Sequence, residues 1–169
     1  GEGMPICNAI GTLYKAGYLK NEQLDANVEM MKAKEIVDKD LDNYKKQAEV
    51  RKISAYAYLT TDNEVKQAIF LNEMPVIMAI DIDKNGLKLD KNYIAKVPKT
   101  PDNSHAVVCY GWNETGFLIQ NSWGEEWGNK GTFILPYAYG FTEAWSISFK
   151  KEEEQIIKKP KMYWLRELI

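Results

Sequence analysis

Residues 104–112 read Ser-His-Ala-Val-Val-Cys-Tyr-Gly-Trp, and residues 117–124 read Phe-Leu-Ile-Gln-Asn-Ser-Trp-Gly. The first stretch contains His105, which is the only histidine of the chain. Histidine is the side chain most easily poised as a general base at neutral pH. Asn121 would hold its ring in one tautomer, and Trp123 would shield that contact from water. The pair therefore indicates the histidine and asparagine of a Cys-His-Asn hydrolase site.

Composition predicts one globular domain. The chain has 169 residues, of which 45% are hydrophobic, and this is enough to bury a single core. A formal net charge of −2 argues against a nucleic-acid partner. No apolar run approaches the roughly 18 residues that a membrane-spanning helix needs. The two cysteines are too few for a disulfide framework, and we expect both to be buried thiols in a reducing compartment.

Hydrophobic periodicity predicts an α+β fold. Helical spacing covers residues 4–17, with Ile6, Ile10, Leu13 and Tyr14 on one face, parts of 22–52, and Asp62 to Asn72, with Val65, Ala68, Ile69 and Phe70 facing inward. Runs rich in β-formers predict strands at 52–59, 75–81, 105–112, 116–121, 131–136 and 144–149. The last four strands favour a small antiparallel sheet or half-barrel that carries His105 and Asn121.

Two further segments differ from these elements. Residues 82–103 are polar, with a turn signal at 84–86, and such a long loop in a compact domain is often functional. Residues 151–169 start as a charged linker or exposed helix and end in an apolar cluster. That cluster either packs back onto this chain or docks on a partner. We therefore expect a domain at 1–150 and a C-terminal extension at 151–169.

The quoted stretches belong to a longer pattern. His-Ala-Val at 105–107 leads to Tyr-Gly at 110–111, and Asn-Ser-Trp-Gly at 121–124 is followed by Trp-Gly at 127–128 and by Gly131. This closely resembles the papain-like cysteine proteases, which carry the string Asn-Ser-Trp-Gly-x-x-Trp-Gly-x-x-Gly after the histidine strand. Every motif position is filled. The resemblance implies a papain-like fold, with helices from the remainder of its helical subdomain, over about 150 of the 169 residues.

The resemblance also implies roles for the matching residues. His105 would be the general base and acid, and Asn121 would orient its ring. Trp123 would cover the contact between them, and Trp127 would line the leaving-group side of the cleft.

Two substrate contacts follow from the same resemblance. The stretch Gly1–Pro5 resembles a glycine-rich substrate wall, in which Gly3 would offer backbone hydrogen bonds to an extended peptide. Ser104 would lie near the pocket for the side chain that precedes the scissile residue.

A nucleophile that matches the family is missing from the sequence. In the family it opens a long helix upstream of the wall, in a Gly-x-Cys-Trp motif preceded by a glutamine that helps bind the oxyanion. Cys7 lies near the start of a helix, where the dipole lowers a thiol pKa, but it lacks the motif and the glutamine. Cys109 follows His105 on the same face of one strand, among core residues. We expect neither cysteine to be the nucleophile.

Three explanations for the missing cysteine remain open. A companion N-terminal fragment carries the cysteine and glutamine, a longer polypeptide contains them, or the chain has lost them. The first two predict a papain-like peptidase that hydrolyses peptide or protein substrates, without metal or cofactor. The third predicts a catalytically inactive scaffold that serves as a binding or structural subunit of a larger assembly. The low cysteine content favours a reducing compartment, or a bacterial or viral setting, over a lysosomal or secreted one.

Overall fold

The structure, a computed structural model, describes residues 4–25 and 29–149. The predicted substrate contact Gly3 and the predicted extension at 151–169 lie outside these residues. The helices are α1 Ile6–Lys15, α2 Met30–Lys39, α3 Leu41–Glu49 and α4 Asp62–Asn72. The strands are β1 Ala55–Leu59, β2 Val76–Ile82, β3 Asn103–Trp112, β4 Gly116–Gln120, β5 Thr132–Pro136 and β6 Glu143–Ser148, with a 3-10 turn at Tyr137–Tyr139. No helix of the described residues is both long and apolar enough to span a membrane.

The strands form one six-stranded sheet in the order β1-β6-β2-β3-β4-β5. The β2–β3, β2–β6, β3–β4 and β4–β5 pairs are antiparallel. The predicted α+β class with an antiparallel sheet is therefore confirmed. The sheet is larger than the four-stranded unit that the strand spacing suggested, because β2 lies between β3 and β6 and β1 adds to the other side of β6.

Alternating side chains give the sheet a buried face and an outer face. Met78 and Ile80 of β2 are buried, as are Val107 and Cys109 of β3. Ser104, Ala106 and Val108 of β3 lie on the outer face and are exposed. Successive residues of a strand point to opposite sides, so this burial pattern fixes which side chains each face presents.

Helix α4 packs against the buried face through two side chains. Thr61 accepts a hydrogen bond from the Glu64 backbone N–H, and the Glu64 carboxylate accepts one from the Thr61 N–H, which forms a capping box. Val65 and Ile69 are fully buried, as predicted. The inward assignment of Phe70 was wrong, since this side chain is 70% exposed. Phe70 is one position beyond Ile69, and a step of about 100° takes it off the packed stripe.

The chain divides into two compact units. One contains residues 4–8 and 56–148, and the other contains residues 9–25, 29–55 and 149. In the second unit Gly17 follows α1 with φ +83°, and a Cβ there would lie 1.9 Å from the Ala48 carbonyl oxygen. Ile10 is buried in α1, whereas Tyr14, predicted on the same face of this helix, is 46% exposed.

The segment between β2 and β3 is partly ordered by backbone pairing. Gly86 N donates to Asp83 O at 2.8 Å, which confirms the predicted turn. Leu89 then pairs antiparallel with Ala95, and Ala95 N donates to Ile134 O of β5 at 2.8 Å. The segment is therefore a short hairpin fixed to the sheet.

Candidate active site

His105 and Asn121 come together because β3 and β4 are antiparallel neighbours. Val108 pairs with Gln120, so Asn121, the next residue, lies diagonally across from His105. The Asn121 backbone N–H donates to Gly131 O at 2.9 Å. Gln120 Nε2 donates to the carbonyl oxygens of both Asn121 and Gly131 at 3.0 Å. Backbone and side-chain bonds therefore hold the turn after β4 in place.

The contact between the two side chains is a hydrogen bond of 2.8 Å, from His105 Nε2 to Asn121 Oδ1. The Ser122 backbone N–H also donates to Asn121 Oδ1, at 2.8 Å. An atom that accepts from an amide is the carbonyl oxygen, so the imidazole must be the donor. The proton of the neutral ring is therefore on Nε2, and Nδ1 is the basic nitrogen.

Burial strengthens this contact. Asn121 is only 6% exposed, and a hydrogen bond in a low-dielectric setting is stronger than one in water. The Asn121 Nδ2 atom is buried and has no hydrogen-bond partner among the described residues. The amide is therefore held through its oxygen alone.

Three aromatic rings support the histidine on one side. Trp123 stacks on His105 with ring centroids 4.7 Å apart and an angle of 28°. Trp127 meets Trp123 edge-on at 5.0 Å, and Phe133 of β5 meets Trp127 in the same way at 5.5 Å. Trp123 is itself 41% exposed, so it lies between the histidine and water.

The turn that carries these tryptophans depends on glycine. Gly124, Gly128 and Gly131 have φ of +90°, +63° and +80°. A Cβ on Gly128 would lie 2.6 Å from Thr132 O, and a Cβ on Gly131 would lie 3.1 Å from Gln120 Nε2. The glycine spacing of the motif is thus a backbone requirement of the site.

The two cysteines have different environments. Cys109 is fully buried, and desolvation raises the pKa of its thiol to about 12, so it is protonated at neutral pH. Cys7 is exposed, which overturns the expectation of two buried thiols, and its Sγ lies 3.8 Å from Asn8 Oδ1.

Two residues that support the site were not predicted from the sequence pattern. Gln120 holds the turn through the carbonyl oxygens of Asn121 and Gly131, and Phe133 packs on Trp127. Both contacts depend on how the chain folds between β4 and β5, which the sequence pattern does not reveal. Ser104, one residue before the histidine, is exposed on the outer face of β3.

Among the described residues, no group of three or more His, Cys, Asp or Glu side chains could hold a metal ion.

A family model for the papain family cysteine proteases matches residues 8–143. This span contains the histidine, the asparagine and the glycine-tryptophan turn described above. The chain belongs to the papain family of cysteine proteases.

Curated relatives match the chain over shorter stretches. Mexicain from Jacaratia mexicana is 31% identical over 88 residues, which are 52% of this chain and 41% of mexicain. A peptidase C1-like protein of Acanthamoeba polyphaga mimivirus is 33% identical over 82 residues, 44% of this chain and 26% of the viral protein. The matched part of the chain thus spans less than half the length of each of these relatives.

Solved structures share the fold. Xylellain, a cysteine protease from Xylella fastidiosa, superposes with a TM-score of 0.68 at 22% identity, over 88% of this chain and 63% of xylellain. A cysteine protease from Carica candamarcensis superposes with a TM-score of 0.59 at 14% identity, over 85% of this chain and 67% of that protein. At these identities the likeness shows the papain-like fold.

Proposed function

We propose that this chain is the histidine- and asparagine-bearing part of a peptidase that hydrolyses peptide bonds through a Cys-His-Asn site. The cysteine and the oxyanion glutamine come from a segment outside these 169 residues, which is either a cleaved N-terminal companion or an upstream part of one polypeptide. Residues 1–150 supply this part of the peptidase, and residues 151–169 form an extension. The observation that carries the proposal is the 2.8 Å bond from His105 Nε2 to Asn121 Oδ1.

That bond directs the acid–base chemistry to Nδ1 of His105. A thiolate attacks the carbonyl carbon of the scissile peptide, and Nδ1–H gives its proton to the leaving nitrogen as the C–N bond breaks. The products of this step are a free amine and an acyl-enzyme thioester. Water then attacks the thioester while Nδ1 takes its proton, and the thiolate leaves. Asn121 keeps the ring in register through both steps.

The remaining site residues contribute substrate contacts in this proposal. Trp123 excludes water from the His105–Asn121 contact, and Trp127 lines the leaving-group side. Ser104 lies beside the pocket for the side chain before the scissile residue. Gly3 binds the extended peptide backbone through its own backbone groups.

The outer face of the sheet supports a companion segment. Tyr56 and Tyr58 of β1 are 46% and 51% exposed, and both rings contact Trp145 of β6. Val108 of β3 adds another exposed apolar side chain to this face, on the side of the strand opposite to the His105 side chain. Exposed apolar groups grouped on one face are typical of a surface that another segment covers.

One labelling experiment tests the proposal. The native preparation is treated with a thiol-reactive peptidyl epoxide, and the labelled chain is located by mass spectrometry. We expect the label on a cysteine within a Gly-x-Cys sequence that has a glutamine upstream. The labelling should survive Cys7→Ala and be lost with His105→Ala.

The opposite result favours the alternative function. If the gene upstream of Gly1 encodes no such cysteine and no labelled companion is recovered, the chain is a binding or structural subunit. Cys109 is buried and desolvation raises the pKa of its thiol, so it would not replace a nucleophile that the upstream sequence lacks.

A further inference from the structure

The hairpin segment between β2 and β3 encloses a cleft of about 630 Å³. Its lining includes four lysines and two aspartates, namely Lys84, Lys88, Lys96, Lys99, Asp83 and Asp102. The cleft is therefore locally positive, whereas the whole chain has a net charge of −2.

Backbone pairing places two of the lysines directly opposite each other in the hairpin. Leu89 pairs antiparallel with Ala95, and Lys96 N donates to Lys88 O at 2.8 Å, so Lys88 and Lys96 are cross-strand neighbours. Like charges directly opposite in a β-ladder repel each other. An anion placed between them would relieve that repulsion.

The acidic groups nearby compensate this charge only in part. Lys88 Nζ lies 4.0 Å from Asp83 Oδ2, and it is the one lysine of the four with an ion pair among the described residues. The other carboxylate oxygen, Asp83 Oδ1, is buried without a hydrogen-bond partner in the same part of the chain. Asp90 interacts mainly with the Ile94 backbone N–H, and the charge of Lys96 contributes less to lowering its pKa.

The cleft adjoins the catalytic histidine. Asp102 immediately precedes β3, and His105 is three residues further, about 10 Å along an extended strand. On the other side, Trp123 Cη2 lies 3.7 Å from the place a Cβ of Gly86 would take, and Trp123 stacks on His105. A peptide held at His105 would therefore reach the cleft within about three residues of the scissile bond.

We propose that this lysine cleft binds an acidic side chain of the polypeptide substrate, within about three residues of the scissile bond. The proposal rests on the proposed peptidase function and names its substrate class, peptides with Glu or Asp near the cleavage site. Because the lysines are exposed, each ion pair contributes modestly and is screened by salt.

A binding experiment on the full 169-residue chain tests the cleft independently of catalysis. A fluorescein-labelled peptide with three glutamates and its glutamine counterpart are titrated by anisotropy. We expect about tenfold tighter binding of the acidic peptide in about 0.1 M salt, and little difference in about 1 M salt, where the Debye length is about 3 Å. Lys88→Gln with Lys96→Gln should abolish the preference, whereas Lys91→Gln, in the same hairpin but outside the lining, should retain it.

Charge reversal separates recognition from a folding defect. Lys88→Glu with Lys96→Glu should shift the preference to a lysine peptide. Equal binding of the acidic and glutamine peptides, or binding unaffected by the Lys88 and Lys96 substitutions, would overturn the proposal. Tighter binding of a single-stranded oligonucleotide of equal charge would also overturn it, since the cleft would then be a general anion site.

Cleavage by the native preparation completes the test. A peptide series with Glu or Gln at each position around the scissile bond should show a several-fold higher kcat/KM for Glu near the bond, which Lys88→Gln with Lys96→Gln removes. Cleavage without any preference for acidic residues would contradict the assignment of the cleft, while the proposed peptidase function would still be supported. Acidic-peptide binding without any cleavage would support the cleft and count against the peptidase.

Discussion

At the scale of single residues, the main feature of the site is the position of the proton on the neutral His105 ring. The Ser122 N–H identifies the Asn121 atom that faces the ring as an oxygen, and this places the proton of neutral His105 on Nε2. Nδ1 is then left to face a thiol, as the proposed chemistry requires. The two hydrogen bonds that Asn121 Oδ1 accepts thus leave Nδ1 as the nitrogen that would react in the proposed peptidase.

Asn121→Ala removes that constraint and should lower peptidase activity of the native preparation by about 10²-fold, because a misplaced base loses its alignment with the reacting atoms. The measurement is kcat/KM on a peptide substrate, with folding checked by circular dichroism. Ser122→Ala is the matched control, since it keeps the backbone N–H that binds Oδ1. Activity unchanged in Asn121→Ala would show that the hydrogen bond does not orient the base.

The thiols offer a residue-scale test that needs no activity. Cys109 is fully buried and its pKa is raised to about 12, whereas Cys7 is exposed. A disulfide-exchange reagent at mildly alkaline pH should therefore titrate one thiol in the native chain and two in denaturant. Cys7→Ser should abolish the native reaction. A rapid native reaction in that variant would mean that Cys109 is accessible.

At the scale of elements, the capping box of α4 links stability to pH. Hydrogen bonds from the Thr60 backbone and side chain, and from the Thr61 backbone, lower the pKa of Glu64 below its ordinary value of 4.5. A depressed folded-state pKa stabilises the fold above the unfolded value and loses that contribution as the pH falls through the folded value.

Glu64→Gln should therefore lower the unfolding temperature at neutral pH, and the difference from the unchanged chain should close as the pH falls below 4.5. Thermal unfolding followed by circular dichroism across this range measures it. Glu114→Gln, in the exposed turn between β3 and β4, is the control. A difference that persists at low pH would show that the charge is not what stabilises the cap.

The glycine turn gives a second element-scale prediction. Gly128→Ala should destabilise the chain by more than about 1 kcal/mol, since the residue has φ +63° and its Cβ would meet Thr132 O. Gly11→Ala, in α1 with open space around it, should instead stabilise by about 0.5–1 kcal/mol. Denaturant unfolding of both variants checks the pair. Equal effects would mean that backbone conformation does not limit the turn.

The elements were predictable where their signals are local. Helix α4 runs from Asp62 to Asn72 as expected, because its cap is encoded within four residues. The contact of His105 with Asn121 was predictable because the motif fixes both strands. The roles of Gln120 and Phe133 were not, since they depend on how the chain folds between β4 and β5, which the spacing of the motif does not specify. The lysine cleft likewise arises from hairpin register, which a run of polar residues does not specify.

At the scale of the whole molecule, the proposed companion segment makes the outer face of the sheet an interface. Val108→Lys would place a charge in that interface and should reduce recovery of the labelled companion at least about tenfold. The chain itself should keep its unfolding temperature, because surface substitutions usually change stability little. Leu71→Lys, an equally simple change at an exposed residue of α4, is the control. Undiminished recovery with Val108→Lys would place the companion elsewhere.

The strand order also has a consequence during synthesis. Among the described strands, β1 has β6 as its only neighbour in the sheet, and 83 residues separate Leu59 from Glu143. At about 5–20 residues per second, a ribosome needs roughly 4–17 seconds to make that interval. Throughout it the nascent β1, with its two tyrosines, is an open edge that can pair with another chain. Nascent chains on crowded polysomes should therefore aggregate more readily than the complete chain does when it refolds in dilute solution.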